Sequence, residues 1–181
     1  MKHIEGTFKE PNGLNLFYQY WLPDQKPKAV LVIVHGLAEH SGRYMNIVNY
    51  FVPRGYAVCG FDYRGHGKSE GLRCYVDRFS DYVNDCGAFF EKVHQENSNL
   101  KIFLIGHSVG SIIAIPYALQ YQHNLAGLII SGVFLKPGSS IPTALKPVVR
   151  LISILFPKMG LTVIDATTIS KDKAVVDAYV N

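Results

Sequence analysis

Hydrophobic and polar positions follow two different periods along the first part of the chain, and together they predict strands alternating with helices. Residues 6–22 alternate apolar with polar side chains on either side of Pro11-Asn12-Gly13, a pattern typical of an antiparallel hairpin. Short apolar runs that are typical of strands buried on both faces follow at 29–34, 56–61, 101–105 and 125–130.

Between these runs, apolar residues recur every three or four positions, which predicts helices. One such helix carries Tyr44, Ile47, Val48 and Phe51, and we expect Ser41 to cap its start. Further helices are predicted from about residue 79 and from residue 109 onward. Strands joined by helices predict an α/β protein with a mostly parallel sheet, helices on both faces and an N-terminal antiparallel hairpin.

The pattern changes after residue 136, which predicts a core over residues 1–136 and a lid or cap segment over residues 137–181. The lid segment opens with a linker rich in proline, glycine and serine. Apolar residues then recur at helical spacing from Leu145 to Phe156, and further apolar positions make this helix hydrophobic nearly all round. Such a helix covers an apolar cleft or contacts a lipid interface, with an ordinary core helix as the alternative. It is interrupted too often for a transmembrane span, by Lys146, Pro147 and Arg150.

The most specific motif is Gly106-His107-Ser108-Val109-Gly110, which lies where a buried strand gives way to a helix. A serine at such a bend has a strained backbone, holds its hydroxyl clear of the sheet and faces the positive end of the helix. Glycine on either side lets strand and helix pass close together. The motif predicts a nucleophile elbow, and a glycine-rich turn that only packs is the alternative.

Composition narrows the function classes. The chain has 181 residues, 48% of them hydrophobic, which is enough to form a core without disulfides. Its net charge of +4 comes from scattered basic residues, so we expect no nucleic-acid partner. Cys59, Cys74 and Cys86 lack metal-ligand spacing, which predicts free thiols, no metal site and a reducing compartment. No export signal precedes the first strand, so the sequence predicts a cytoplasmic protein that is at most peripheral to a membrane.

Three sequence blocks stand in the order and spacing of a known family. They are His35-Gly-Leu-Ala-Glu-His-Ser-Gly-Arg-Tyr44, Asp62-Tyr-Arg-Gly-His-Gly-Lys-Ser-Glu-Gly71 and the elbow motif. In these blocks the chain resembles the monoacylglycerol lipase and lysophospholipase group of the α/β-hydrolases. The likeness continues through Ile164-Asp165 and residues 169–172 of the lid. Two positions depart from the family, which mostly has glycine in place of Ala38 and often has a third glycine in place of Ser111.

The resemblance implies a serine ester hydrolase that cleaves monoacylglycerols, lysophospholipids or similar carboxylic esters through an acyl-enzyme on Ser108. It implies no metal and no organic cofactor. The implied partners are a lipid ester substrate, a membrane or micelle contacted transiently through the lid, and a C-terminal remainder of the same protein.

The resemblance also implies roles around Ser108. The backbone amides of Leu37 and Val109 would form the oxyanion hole, the standard donor positions in this fold. Glu39 and Arg43 would lie at the polar end of the pocket that receives a glycerol-like alcohol, or would form a structural ion pair instead. The supporting positions are His35, Gly36, Gly106, His107 and Gly110.

The general base is not evident among the histidines. In this fold the chain order is serine, acid, histidine, and only His123 follows Ser108, within the helix that the elbow begins and with no acid between them. His107 adjoins the serine in sequence and points away from it at an elbow. We therefore expect the acid and the base in a C-terminal remainder, the chain being the N-terminal part of a longer hydrolase. A truncated pseudoenzyme or a noncatalytic binding module is the alternative, and a serine at the elbow disfavours dehalogenases and epoxide hydrolases, which use aspartate.

Overall fold

The computed structural model describes residues 1–133 and 170–180, together with the single positions 147 and 158. The chain divides into two compact units, Met1–Pro137 and Gly138–Asn181. The predicted helix between Leu145 and Phe156 lies outside the described residues. Within the described ranges, no helix is long and apolar enough to cross a membrane.

One sheet organises the first unit. Its described strands are β1 Lys2–Lys9, β2 Asn15–Leu22, β3 Ala29–Val34, β4 Ala57–Phe61, β5 Lys101–His107 and β6 Gly127–Ser131. They lie in the order β1-β2-β4-β3-β5-β6. β4, β3, β5 and β6 are parallel, whereas the β1–β2 hairpin joins β4 in the antiparallel sense. The predicted parallel sheet and N-terminal hairpin are confirmed.

Helices cover both faces of this sheet. They are α1 Met45–Phe51, α2 Phe79–Glu96 and α3 Val109–Tyr121, and short 3₁₀ turns occupy Ser41–Tyr44, Val52–Arg54 and Gln122–Asn124. Alternate residues of β3 point to opposite sides, so Val32 packs with α2 and α3 whereas Ile33 packs with α1. Because both faces of the central strands are buried, their sequences are unbroken apolar runs.

The segment that follows β3 begins differently from the prediction. The expectation that Ser41 caps the helix is wrong: Tyr44 is the N-cap residue of α1, and His40 caps the 3₁₀ turn that precedes it, where His40 Nδ1 accepts a hydrogen bond from the Gly42 amide at 3.2 Å. The Ser41 hydroxyl instead donates to Asp62 Oδ1 at 2.7 Å and accepts from Gln19 Nε2 at 2.8 Å. The Ser41 hydroxyl therefore forms its hydrogen bonds with buried residues of β2 and of the loop after β4. These bonds hold the segment after β3 against the sheet.

The second unit contains the described helix α4, Lys173–Val180. Asp172 precedes it, and its Oδ1 accepts a hydrogen bond from the Ala174 amide at 2.9 Å. An aspartate in this position is a common N-cap, because it pairs one of the amides that the first helical turn leaves without a partner.

Candidate active site

The register of the parallel strands brings three loops to one edge of the sheet. Val34, the last residue of β3, lies opposite Gly106 of β5 on one side and Phe61 of β4 on the other. The loops that leave these strands carry residues 35–40, residues 62–71 and the elbow. The three sequence blocks therefore meet at the carboxyl end of β3, although they are distant in the chain.

Ser108 has an unusual backbone conformation, with φ 51° and ψ −117°. A positive φ is costly for a residue with a Cβ, and it is sustained here by hydrogen bonds on both sides. The Ser108 amide donates to Ser131 O at 2.9 Å, and Ser108 O accepts from the Ser111 amide at 2.9 Å. The side chain is half-buried, and its Oγ forms no hydrogen bond with any described residue. The strained geometry of a strand-to-helix elbow is thus present at this serine.

The two glycines of the elbow lie where a side chain would not fit. A Cβ added to Gly110 would lie 2.0 Å from Val34 O and 2.4 Å from His35 O. A Cβ on Gly106 would lie 2.8 Å from Gly110 O. The start of α3 therefore rests directly on the backbone at the end of β3, which brings the elbow against the loop that β3 leads into.

That loop approaches Ser108 through Gly36. A Cβ at this position would be 3.4 Å from Ser108 Cβ and 2.8 Å from Glu39 Oε1. The next residue, Leu37, has an exposed side chain, and no described residue accepts a hydrogen bond from its amide or from that of Val109. Ala38 follows with φ 56°, a conformation that suits glycine better than alanine. The amides of Leu37, next to Gly36, and of Val109, next to Ser108, are therefore both without a described partner.

Glu39 and Arg43 lie close together, and both line a pocket. Arg43 Nη1 lies 3.7 Å from Glu39 Oε2. Glu39 Oε1 also accepts hydrogen bonds from the Gly36 amide at 2.5 Å and from the Tyr44 hydroxyl at 2.6 Å. Burial, with a smaller contribution from Glu39, raises the pKa of Tyr44 above its usual range. The same residues line a pocket of about 310 Å³ beside the elbow, together with Asn46, Ile47, Ile105, His107 and Ser131.

The histidines of these loops are held by structural contacts. His35 is fully buried, stacks on Tyr63 with ring centres 4.1 Å apart and places Nδ1 2.7 Å from Gly36 O. Burial lowers the pKa of His66, and the Nδ1 of this ring lies 3.1 Å from Arg64 O. His107 Nδ1 lies 3.3 Å from Ser131 Oγ. No histidine of the described residues contacts Ser108 Oγ, and the described side chains include no cluster suited to a metal ion.

Burial lowers the pKa of His35 to about 3 from an ordinary 6.5, so the folded protein keeps this ring neutral. The unfolded chain binds a proton below about pH 6.5, and stability is therefore lost as the pH falls from there toward 3. We expect His35 to account for a loss of about 2 kcal/mol in the free energy of unfolding between pH 6.5 and pH 5. Urea unfolding across this range should show a shallower decline in His35→Asn, and equal slopes would contradict the assignment.

The sequence did not single out two loop residues that shape this site. Tyr63 is buried and its hydroxyl donates to Gly36 O at 2.7 Å, whereas Asp62 accepts hydrogen bonds from the Ser41 amide and hydroxyl. Both belong to the second sequence block, directly after the buried strand β4. Their position at a strand end was the available signal, but their partners are more than 20 residues away along the chain.

Comparison with known proteins identifies the family and the fold. Residues 25–181 match the family model described as serine aminopeptidase, S33. The chain is 31% identical to a monoacylglycerol lipase of Mycolicibacterium smegmatis over 97% of its length and 34% identical to the human monoglyceride lipase over 93%. It spans 62% and 56% of these relatives. A carboxyl esterase of Bacillus coagulans, solved with glycerol, superposes with a TM-score of 0.68 at 28% identity, over 98% of this chain and 61% of that one. The chain has an α/β-hydrolase fold and belongs to the serine aminopeptidase, S33 family of hydrolases.

Proposed function

We propose that the full-length protein is a serine ester hydrolase that cleaves monoacylglycerols, lysophospholipids or similar carboxylic esters, with Ser108 as the nucleophile. The observation that carries this proposal is the strained Ser108 backbone, with a hydroxyl that no described residue engages. The amides of Leu37 and Val109, which have no described acceptor, are the proposed oxyanion donors. The lipase names of the relatives support a lipid ester as the substrate.

In the proposed reaction, Ser108 Oγ attacks the ester carbonyl carbon while a general base removes the hydroxyl proton. The carbonyl oxygen becomes an oxyanion, which accepts hydrogen bonds from the Leu37 and Val109 amides. Collapse of this intermediate breaks the bond to the alcohol, which leaves with the proton. Water then attacks the acyl-enzyme in the same way, releasing the fatty acid and restoring the serine. None of the described histidines contacts Ser108 Oγ, and we propose that a residue outside the described ranges supplies the base.

The pocket beside the elbow offers a place for the alcohol portion of the substrate. Glu39 and Arg43 form a polar wall, whereas Ile47 and Ile105 form an apolar one. Its volume of about 310 Å³ is sufficient for a glycerol-sized group. The solved carboxyl esterase of Bacillus coagulans is in complex with glycerol, which supports an alcohol of this kind as part of the substrate. We further propose that the segment 137–181 contacts the acyl chain and lipid aggregates, because its predicted helix is hydrophobic nearly all round.

The test is fatty-acid release by the full-length protein from a long-chain monoacylglycerol, the matching lysophospholipid and the methyl ester of the same acid. We expect turnover of the glycerol ester to exceed that of the methyl ester, because only the former has hydroxyls for the polar wall of the pocket. Covalent labelling by a fluorophosphonate probe should accompany the activity. Labelling should be lost in Ser108→Ala and kept in Ser80→Ala, the matched control, which changes an exposed serine outside the site. Absence of turnover of all three esters would overturn the proposal.

A further inference from the structure

We infer that Tyr63 and His35 are positioning residues that orient the Leu37 amide toward the oxyanion, because both hold the carbonyl at the other end of the same peptide unit. The inference rests on the proposed function, in which the Leu37 amide is one of the two oxyanion donors. Neither side chain is required to touch the substrate.

Two side-chain donors converge on one carbonyl oxygen. The Tyr63 hydroxyl lies 2.7 Å from Gly36 O, and His35 Nδ1 lies 2.7 Å from the same atom. A carbonyl oxygen can only accept, so the hydroxyl and Nδ1 must both carry the proton. His35 is therefore the tautomer with hydrogen on Nδ1, which agrees with a buried, neutral ring. Together the two bonds use both lone pairs of Gly36 O.

The geometry of the peptide bond transmits this constraint to the amide. The carbonyl of Gly36 and the N–H of Leu37 belong to one planar unit, and the described chain has no cis peptide bond. In a trans unit the C=O and N–H vectors point in opposite directions. Fixing the carbonyl against Tyr63 and His35 thus directs the Leu37 proton to the opposite side. Hydrogen bonds to a carbonyl also polarise the peptide unit, which makes its N–H a stronger donor.

The two donors are themselves held rigidly. Tyr63 is buried, stacks on His35 at an interplanar angle of 10° and meets the Tyr82 ring edge-on at 4.8 Å. Its chain neighbours are anchored as well. Asp62 accepts hydrogen bonds from the Ser41 and Lys68 amides at 2.7 Å and 2.9 Å. Arg64 pairs with the buried Asp85 at 2.6 Å and with Glu10 at 3.1 Å.

The preceding peptide unit is held too. The Gly36 amide donates to Glu39 Oε1 at 2.5 Å, so Gly36 is constrained on both of its sides. A Cβ added to Gly36 would lie only 3.4 Å from Ser108 Cβ, so this constrained residue lies against the nucleophile. Small rotations of the Gly36–Leu37 unit would consequently change the direction of the donor at the reacting carbonyl.

The kinetic test compares Tyr63→Phe with Tyr82→Phe in the full-length protein. Each change removes the hydroxyl of a buried tyrosine, but only that of Tyr63 is hydrogen-bonded to a described residue. We expect Tyr63→Phe to lower kcat about tenfold with little change in KM. The rate ratio between an ester and its thionoester should fall by a similar factor, because sulfur accepts hydrogen bonds weakly and gains little from the oxyanion donors. Equal losses on both substrates, or equal losses in the two variants, would overturn the inference.

A measurement independent of turnover uses the ¹⁵N resonance of the Leu37 amide, whose chemical shift responds to hydrogen bonding at the preceding carbonyl. We expect this resonance to move in Tyr63→Phe and to keep its place in Tyr82→Phe. An unmoved resonance in Tyr63→Phe would overturn the inference even if the ester assay succeeds. A protein that turns over no ester would overturn the proposed function, and the resonance would still decide the geometry.

A second pair of variants, at His35, tests the same inference if Tyr63→Phe does not fold. His35→Asn retains an N–H near the position of Nδ1, whereas His35→Leu removes the donor but fills the buried volume. We expect the Leu37 resonance and the ester-to-thionoester ratio to stay near wild type in His35→Asn and to change in His35→Leu. Identical behaviour of the two variants would count against a positioning role for His35.

Discussion

Ser108→Ala in the full-length protein should lower ester turnover by about 10⁵- to 10⁶-fold and abolish labelling by a fluorophosphonate. Alanine keeps the Cβ and therefore the same backbone strain, so thermal stability should change little. The residual rate comes from the oxyanion donors and substrate binding acting on water. Turnover and labelling near the wild-type level would show that Ser108 is not the nucleophile.

A companion variant separates chemistry from strain. Ser108→Gly should be equally inactive but more stable than Ser108→Ala by about 1 kcal/mol, because glycine accepts φ 51° without the clash of a Cβ. Thermal unfolding of the two inactive variants measures this difference directly. A glycine variant that is no more stable than the alanine variant would mean that the strain at this position is small.

Gly110→Ala should destabilise the folded protein by more than about 3 kcal/mol and reduce soluble yield. The added Cβ would lie 2.0 Å from Val34 O, and both this atom and His35 O belong to backbone that cannot rotate away. Relieving the contact requires α3 to shift away from β3, which would also move Ser108 and the Val109 amide away from the loop that carries the Leu37 amide. Activity should therefore fall with stability, and chemical denaturation and ester turnover measure the two effects.

Gly87→Ala is the matched control, since it adds the same methyl group to a helix with space to receive it. The nearest atom to the added Cβ would be Tyr117 Cε2 at 4.0 Å. Alanine is also the better helix former, so this variant should gain about 0.5 to 1 kcal/mol. If both alanine variants unfold at the same denaturant concentration, the close approach of α3 to β3 is not a significant constraint.

Features that depend on neighbouring residues in the chain could be predicted from the sequence. The unbroken apolar run of β3 follows from burial on both faces, and the glycines around Ser108 mark a bend where strand and helix approach closely. The resemblance to lipases was confirmed by family membership and by relatives at about one-third identity. The inferences on β3 and on the elbow each use residues that lie within a short stretch of sequence.

Features that depend on distant residues could not be predicted. Ser41 has the sequence context of a helix cap, but Gln19 and Asp62 reach it across the sheet and offer stronger buried partners. Tyr63 was not singled out from the sequence, because its partner Gly36 is 27 positions away. Glu39 remained ambiguous for a different reason: its partners are near it in the chain, but only the folded loop shows that one carboxylate contacts Gly36, Arg43 and Tyr44 together.

The order of the strands also has a consequence for how the chain acquires its structure during synthesis. The β1–β2 hairpin emerges before the strands of the parallel sheet, yet its only described neighbour in the sheet is β4, which ends at Phe61. An isolated two-stranded hairpin is marginally stable in water, so we expect it to stay undocked until β4 has left the ribosome. β3 in turn gains its second neighbour only when β5 emerges. Protease treatment of chains arrested before and after β4 emerges should show residues 1–22 protected only in the longer chains, so the hairpin is secured by a strand that is synthesised after β3.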